Sequence, residues 1–454
     1  MLVNSFTSVT TRMGPQVNKH IVIVGGGYVG MYTALRLQRK LGKELRNRSV
    51  RITVIDPNSY MTYQPFLPEA AAGNLSPRHV VAPLRRVLPK ATILNGMVTK
   101  VDHAHKKVTF VPGEGEPREI PYDLLVMAAG SISRTLPIPG LTDIGIGFKT
   151  VGEAIALRNR VLHQLDVAES TDDVEVRRRA LTFVVVGAGF AGVEALAELE
   201  DMAKDSTRYY RNIKPSDVRW VLVEATNRVL PEVGPEMGKW TLEQLRERGI
   251  EVKLDTRLES ATGGHVVLSD GTEFDAETLV WTAGVKPSPV VTEGDLPLDE
   301  RGRIKTTTQL TVAGTKDAFA AGDLAGVPDV TNPGQYCAPN AQHAVRQAKV
   351  LGDNIVRTLH GQQLVEYRHK YVGSVAGLGL HQGVANVYGV KLRGLAAWFM
   401  HRTYHLSRVP TLNRKVRVVA DWTLALFFKR ETVSLGEMEH PRDEFRAAVA
   451  SNRR

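Results

Sequence analysis

The stretch His20-Ile-Val-Ile-Val-Gly-Gly-Gly-Tyr-Val-Gly30 decides the fold. His20 to Val24 is a short apolar run rich in β-branched residues, the pattern of a strand buried on both faces of a parallel sheet. It runs into Gly25-Gly26-Gly27-Tyr28-Val29-Gly30, which fits G-x-G-x-x-G. The first glycine of such a turn permits a tight reversal, the second a close approach of backbone to a pyrophosphate, and the third close packing of the following helix. That helix supplies amide donors and a partial positive charge at its start. Met31, Ala34 and Leu35 follow at helical spacing, and Arg51-Ile-Thr-Val-Ile55 forms a second strand closed by Asp56. A carboxylate at that point is placed to accept hydrogen bonds from a ribose diol. One glycine-rich turn is a weak signal, because plain tight turns look alike; the flanking strand, helix and acid strengthen it.

The same plan recurs. A strand over Leu181–Val186 runs into Gly187-Ala188-Gly189-Phe190-Ala191-Gly192, a helix carries Val193, Leu196 and Ala197, and the strand Trp220–Val223 is closed by Glu224. This acid lies beyond the usual offset of roughly 20 residues, so the polar stretch Asp201–Asp217 reads as an excursion before the strand resumes. A carboxylate at Glu224 repels a 2′-phosphate and favours NADH over NADPH, with Arg228 nearby as the opposing charge. Leu124-Leu-Val-Met-Ala-Ala-Gly130 and Leu279-Val-Trp-Thr-Ala-Gly284 follow the two folds as matching elements, and the Pro/Gly-rich Leu136–Gly140 reads as a crossover. The fold expected is α/β: two Rossmann-like dinucleotide-binding domains with an α+β C-terminal membrane-associating region.

The formal charge of +10 favours an anionic partner. Between Lys391 and Arg430 there are nine Lys/Arg against one acid, Asp421, so the excess is concentrated in the C-terminal segment. No nucleic-acid-binding fold accompanies it. The single cysteine, Cys337, excludes an intrachain disulfide and a Cys-rich metal site; no metal is expected. Residues 1–18 read as a disordered lead without a signal peptide. No stretch approaches the about 20 apolar residues of a spanning helix.

Gly25 and Gly187 begin two fingerprints 162 positions apart, each with its own acid. Together they resemble the two-dinucleotide flavoprotein oxidoreductases, over roughly Lys19 to Asp323. In that family the first fold takes FAD and the second NADH. Ala128-Ala-Gly130 and Thr282-Ala-Gly284 resemble its two crossover motifs, and Gly322-Asp323, after the strand Ala318–Ala321, resembles the turn whose acid binds the ribityl chain. A lone cysteine sets aside the disulfide reductases and sulfide oxidases of the family, which leaves a non-thiol acceptor. Tyr63-Gln-Pro-Phe-Leu-Pro-Glu69 with Ala72-Gly73, and Pro339-Asn-Ala-Gln-His-Ala-Val-Arg-Gln347, are similar to type II NADH:quinone oxidoreductases.

The resemblance implies a set of site residues. FAD contacts are Gly25, Gly26, Gly27, Tyr28, Val29, Gly30, Asp56, Gln64, Val98, Ala129, Gly130, Asp323 and Ala338. NADH contacts are Gly187, Gly189, Phe190, Ala191, Gly192, Glu224, Ala283 and Gly284. Ala341, Gln342 and Ala344 would line a quinone site, with Gln342 and Glu194 as catalytic residues. Read without the resemblance, Glu194 is as well explained by the helix dipole, and the Gln342 segment by an ordinary solvated amphipathic helix. Arg346 stands where many members carry a second glutamine, and Gln347 is one residue late. Cys337 reads as packing.

In the tail, Val418, Val419, Trp422, Ala425 and Leu426 share a helical face, with Arg414, Lys415, Arg417, Lys429 and Arg430 at its ends. Val416–Phe428 spans only about 20 Å at 1.5 Å per residue, too short for a hydrocarbon core of about 30 Å, so it is expected to lie on a bilayer. Leu395, Phe399 and Leu406 form a similar stripe, with Arg402 on the apolar side and obliged to snorkel. Packing on the flavin domain or a homodimer interface is the other reading of these faces.

The boundaries expected are 19–150 and 301–365 for the FAD domain, 151–300 for the NADH domain and 366–454 for the C-terminal region. The function expected is transfer of hydride from NADH to FAD and of two electrons to a membrane quinone, without proton pumping, by a peripheral protein on the cytoplasmic face of the membrane. A soluble NAD(P)H-dependent reductase of a ferredoxin-like acceptor and a non-catalytic flavin redox sensor remain alternatives.

Overall fold

The computed structural model describes residues 19–369 and 372–434. The leading residues 1–18 and the end of the tail, 435–454, lie outside it. The described chain divides into two compact units, one of 19–61, 83–131 and 286–369, the other of 62–82, 132–285 and 372–434.

In the first unit, the apolar run at Lys19–Val24 is a strand buried from His20 onward. It lies between two parallel neighbours, Leu124–Met127 and Val50–Asp56, with Ile21 opposite both Ile52 and Leu124. Ala318–Ala320 adds to the Leu124 edge, and Thr92–Asp102 to the other edge, again parallel. Two antiparallel strands, Lys107–Pro112 and Arg118–Pro121, complete a seven-stranded sheet. Crevices outside the carboxyl ends of such parallel strands are where ligands bind. The helix Tyr28–Lys40 packs on the helix Ala341–Leu359. Gly352 permits their close approach, since a Cβ there would stand 2.7 Å from Arg36 Cγ. Arg36 holds Asp353 with two bonds of 2.9 Å.

The second unit repeats the arrangement. Thr182–Val186 lies between Thr278–Trp281 and Arg219–Val223 in a five-stranded parallel sheet completed by Gly145–Gly147 and Glu251–Lys253. The fingerprint helix runs from Phe190 to Ser206. The polar stretch expected to be an excursion therefore begins as the last turns of this helix, followed by short 3₁₀ turns at Thr207–Tyr209 and Pro215–Asp217. This extra helix is what carries Glu224 beyond the usual offset.

The same unit holds the segment from Thr62 to Ala82 and the C-terminal elements. Leu67–Ala71 is a short buried helix packed on Phe190–Ser206. An antiparallel meander, Gly373–Gly377, Gly383–Val387 and Val390–Arg393, leads into two helices, Gly394–Arg408 and Leu412–Phe427. These units cut the chain differently from the sequence boundaries: 62–82 and 132–150 group with the second fold, as does the described tail. Contacts between residues hundreds of positions apart decide this grouping, and a sequence pattern does not carry them.

Two expectations for the tail are corrected. The proposed lipid face of the last helix is split. Val418 is fully buried and the Trp422 indole donates to Glu69 Oε2 at 2.6 Å, whereas Val419 and Leu426 are exposed. The exposed apolar residues Leu412, Val416, Val419 and Phe427 lie at helical spacing on another face. Arg402 does not snorkel. It is buried, donates to Glu69 Oε2 at 3.0 Å, and sits over the rings of Trp398 and Trp422 at 4.0 and 4.8 Å.

Candidate functional site: two dinucleotide half-sites and a buried carboxylate cluster

The first half-site is built by backbone. Gly25 has φ +102°, and a Cβ there would stand 2.4 Å from the Ala128 carbonyl oxygen. A Cβ on Gly30 would lie 1.8 Å from the Gly25 oxygen, so the helix packs on the turn only because position 30 is glycine. Gly27 is the N-cap of Tyr28–Lys40, makes no side-chain cap bond, and has open space where a Cβ would be. Asp56 Oδ2 accepts from the Gly26 amide at 2.6 Å and Oδ1 from the Asn58 amide at 2.7 Å. Burial raises its pKa, against the pull of these two amides.

Ala129 and Gly130 follow the Leu124–Met127 strand at the Gly25 turn. Gly322 has φ +79°, and its amide donates to Gln347 Oε1 at 2.8 Å; Asp323 Oδ2 accepts from Ser131 Oγ at 2.6 Å. Val29 packs beneath the Gly322 turn. Val98 is buried in the Thr92–Asp102 strand at its bulge, and Ala338 is exposed. Gln64 belongs to the second unit, where its amide donates to the Lys149 carbonyl at 3.1 Å. An uncapped helix start, an open glycine cradle and a strand-end acid fit the pyrophosphate and ribose of a dinucleotide.

The second half-site has nearly the same geometry. Gly187 has φ +106°, and Cβ atoms on Gly187 and Gly192 would strike Thr282 and the Gly187 oxygen at 2.8 and 1.9 Å. Gly189 is an N-cap with no side-chain cap bond and open space around it. Glu224 Oε2 accepts from the Ala188 amide at 2.7 Å, while Oε1 accepts from the amide and hydroxyl of Thr226 at 2.8 Å. Phe190 and the exposed Ala191 open the helix, and Ala283 and Gly284 follow Thr282 at the turn.

Around Gln342 the first unit places a compact polar group. Gln342 Oε1 accepts from His369 Nε2 at 2.8 Å, and its carbonyl accepts from Arg346 at 3.1 Å. Burial, then Arg346 and His343, push His369 down to about 4, so the ring is neutral near pH 7. Ala341 is partly buried and Ala344 buried. Gln347 is turned inward to hold the Gly322 turn, and this removes it as the displaced second glutamine. Cys337 is buried; burial first, then Asp329, pushes its thiol up to about 11, which keeps it protonated and unreactive.

Glu194 lies in the first turns of the second fingerprint helix and is buried. Its Oε1 accepts from the Gly377 amide at 2.8 Å and lies 3.1 Å from His401 Nε2. Sequence reading missed what surrounds it. Glu198, one turn on, is buried and accepts from Asn74 at 2.8 Å. Glu69 is buried beneath Arg402 and Trp422. The available signal was Glu194 and Glu198 at i, i+4 among Val193, Ala195, Leu196, Ala197 and Leu199.

A strand, an open glycine turn, an uncapped helix and a pinned carboxylate, built twice in one chain, define a two-dinucleotide protein. The pyridine nucleotide-disulphide oxidoreductase family profile matches residues 19–348. The type II NADH:quinone oxidoreductase of Staphylococcus aureus is 32% identical over 393 residues, covering 85% of this chain and 94% of that protein. The type II NADH:quinone oxidoreductase Ndh of Mycobacterium tuberculosis is 29% identical over 433 residues, 92% and 90% of the two chains. The NDH2 structure from Plasmodium falciparum in complex with NADH has the same fold, with a TM-score of 0.83 at 19% identity over 92% of this chain and 100% of that one. The chain belongs to the pyridine nucleotide-disulphide oxidoreductase family, and within it to the type II NADH:quinone oxidoreductases.

Proposed function

We propose that this protein is an FAD-dependent oxidoreductase that takes hydride from NADH and passes two electrons to a membrane quinone, without pumping protons. The observation that carries the reading is the duplicated half-site in a chain whose one thiol is buried and protonated. Bound FAD supplies the hydride acceptor and the two-electron exchange. The protein's own work is binding, orientation and proton control.

The turn Gly25–Gly30, with Asp56, Val98, Ala129, Gly130, Asp323 and Ala338, holds FAD. The turn Gly187–Gly192, with Glu224, Ala283 and Gly284, holds NADH. Glu224 meets the ribose diol and disfavours a 2′-phosphate, its orientation set by Ala188 and Thr226. Gln342, between Ala341 and Ala344, donates to a quinone carbonyl, and Glu194 serves as an acid–base group. No described helix is long and apolar enough to cross a membrane. The exposed face of Leu412, Val416, Val419 and Phe427, flanked by Lys415, Arg417 and Lys429, is suited to a peripheral position on the cytoplasmic face of an anionic bilayer.

The test is spectroscopic. Purified protein should show a flavin spectrum that bleaches with NADH under anaerobic conditions and recovers when a short-chain quinone is added. A reduced flavin that no quinone reoxidises removes the acceptor from the assignment.

A further inference from the structure

Gln342 and His369 meet across 27 positions, both in the first unit. Gln342 stands in the first turn of the helix Ala341–Leu359, whose N-cap Asn340 accepts from the His343 amide at 2.8 Å. His369 lies on an irregular segment, 362–369, that is nonetheless tied down. Asn354, fully buried on the same helix, accepts from the Val365 amide at 2.9 Å and donates to the Val365 and Gln309 carbonyls at 2.8 Å. The Tyr367 amide donates to the Thr308 carbonyl at 2.7 Å. The Tyr367 hydroxyl lies 2.9 Å from His343 Nδ1, and the His343 ring stands edge-on to that of His369, with centroids 5.7 Å apart. The His369 ring is thus brought to Gln342 by bonds in which the Gln342 side chain takes no part.

The bond between the two side chains fixes more than a distance. A glutamine carries an acceptor at one end of its amide and two donors at the other, and its last torsion is broad and roughly two-fold, so rotation exchanges them at little cost. Here the oxygen faces the ring, with Gln342 Oε1 2.8 Å from His369 Nε2. An amide oxygen only accepts, so Nε2 carries a proton. Burial first, then Arg346 and His343, hold His369 at about 4 against Asp329, so near pH 7 that is the ring's one proton and Nδ1 is unprotonated. With its oxygen on His369, the amide directs its NH2 end away from the ring.

A quinone carbonyl is an acceptor: it is attracted by the NH2 end of an amide and repelled by the oxygen end. Resting on the quinone reading above, we propose that His369 is a positioning residue of the quinone site, which holds Gln342 by its oxygen and so presents the NH2 end of that amide to the quinone carbonyl. His369 touches no reacting atom in this role and gives up no proton. Its contribution is orientation, since an amide already held in one rotamer loses less freedom when the quinone binds. Anchoring of the segment is a separate matter, because Asn354 and Tyr367 hold it whichever way the Gln342 amide is turned.

The test is a double-mutant cycle on the FAD-loaded, full-length protein, read as steady-state NADH oxidation with a short-chain quinone and with ferricyanide, which offers no carbonyl. Gln342→Ala and His369→Leu should each lower kcat/KM for the quinone about tenfold, the scale of one lost hydrogen bond. The double variant should fall no further than Gln342→Ala alone, whereas independent roles would multiply to about a hundredfold. His369→Gln, whose NH2 can stand where Nε2 stands and still donate, should recover most of the loss. Flavin content and bleaching by NADH report folding in every variant. Multiplying losses in the double variant, no recovery in His369→Gln, or equal losses with quinone and ferricyanide in His369→Leu overturn the positioning role. A parent protein that reduces ferricyanide but no quinone, or a Gln342→Ala protein with the parent's quinone kinetics, overturns the quinone reading instead.

Discussion

The two glycine turns are close copies, but the helices that leave them do different work. In both, the first glycine has φ near +100°, the third leaves no room for a Cβ, and a strand-end acid pins the amide of the second residue at 2.6 or 2.7 Å. Beyond the turn, Tyr28–Lys40 buries apolar residues and reaches its neighbouring helix through the partly exposed Arg36–Asp353 pair. Phe190–Ser206 instead buries Glu194, Glu198 and Glu200 beneath the segment from Thr62 to Ala82 and the C-terminal elements. Equal local geometry thus recurs at both turns, while burial of charge distinguishes the second helix from the first.

The strongest way to break this comparison is to fill each third glycine. A Cβ at 1.8 or 1.9 Å from a backbone oxygen cannot be relieved by a rotamer change, so the cost should exceed the about 1–3 kcal/mol of ordinary overpacking. Gly30→Ala should yield protein without bound flavin. Gly192→Ala should keep its flavin but lose bleaching by NADH. Visible spectra and NADH titration check both, and equal loss of flavin in the two variants would end the division of labour between the folds.

Next in size is the difference in ion pairs. Arg402→Met strands Glu69 in the interior and should cost about 3–5 kcal/mol, the scale of breaking a buried pair. Arg36→Met removes a partly exposed pair and should cost at most about 1 kcal/mol. Urea unfolding of the two variants measures the contrast, and similar midpoints would show that burial does not set the worth of the two pairs.

Much of this was legible in the sequence because its causes are local. A φ of +102° demands glycine at position 25, a two-sided buried strand reads as an apolar run, and an acid at the end of the next strand announces itself by position. The cluster was not legible because its partners are distant: Arg402 meets Glu69 across 333 positions, and the Gly377 amide meets Glu194 across 183. A helical stripe tells that one side is apolar without telling what covers it. Val418 and Trp422 therefore read as a lipid face while they pack on protein, and Arg402 read as a surface charge because a buried ion pair uses the same residues as a solvated one.

The smallest effect tests where the buried carboxylate cluster keeps a proton. Burial first, then repulsion from Glu69 and Asp201, raises the carboxyl of Glu198 from the ordinary 4.5 to about 7 in the folded protein. Between these values the unfolded chain has released the proton that the folded protein still holds. Stability must therefore fall as pH rises through this window, by at most about 1.4 kcal/mol per pH unit for one full proton. Below the window both states are protonated and the contribution is level; above it both are ionised and the loss is complete. Glu198→Gln carries no titrating proton there, so its urea midpoint should fall less than the parent's between those limits, and the two curves should diverge toward low pH in favour of the parent. Parallel curves would place the proton on another member of the cluster, and would leave the second fingerprint helix distinguished from the first by burial without titration.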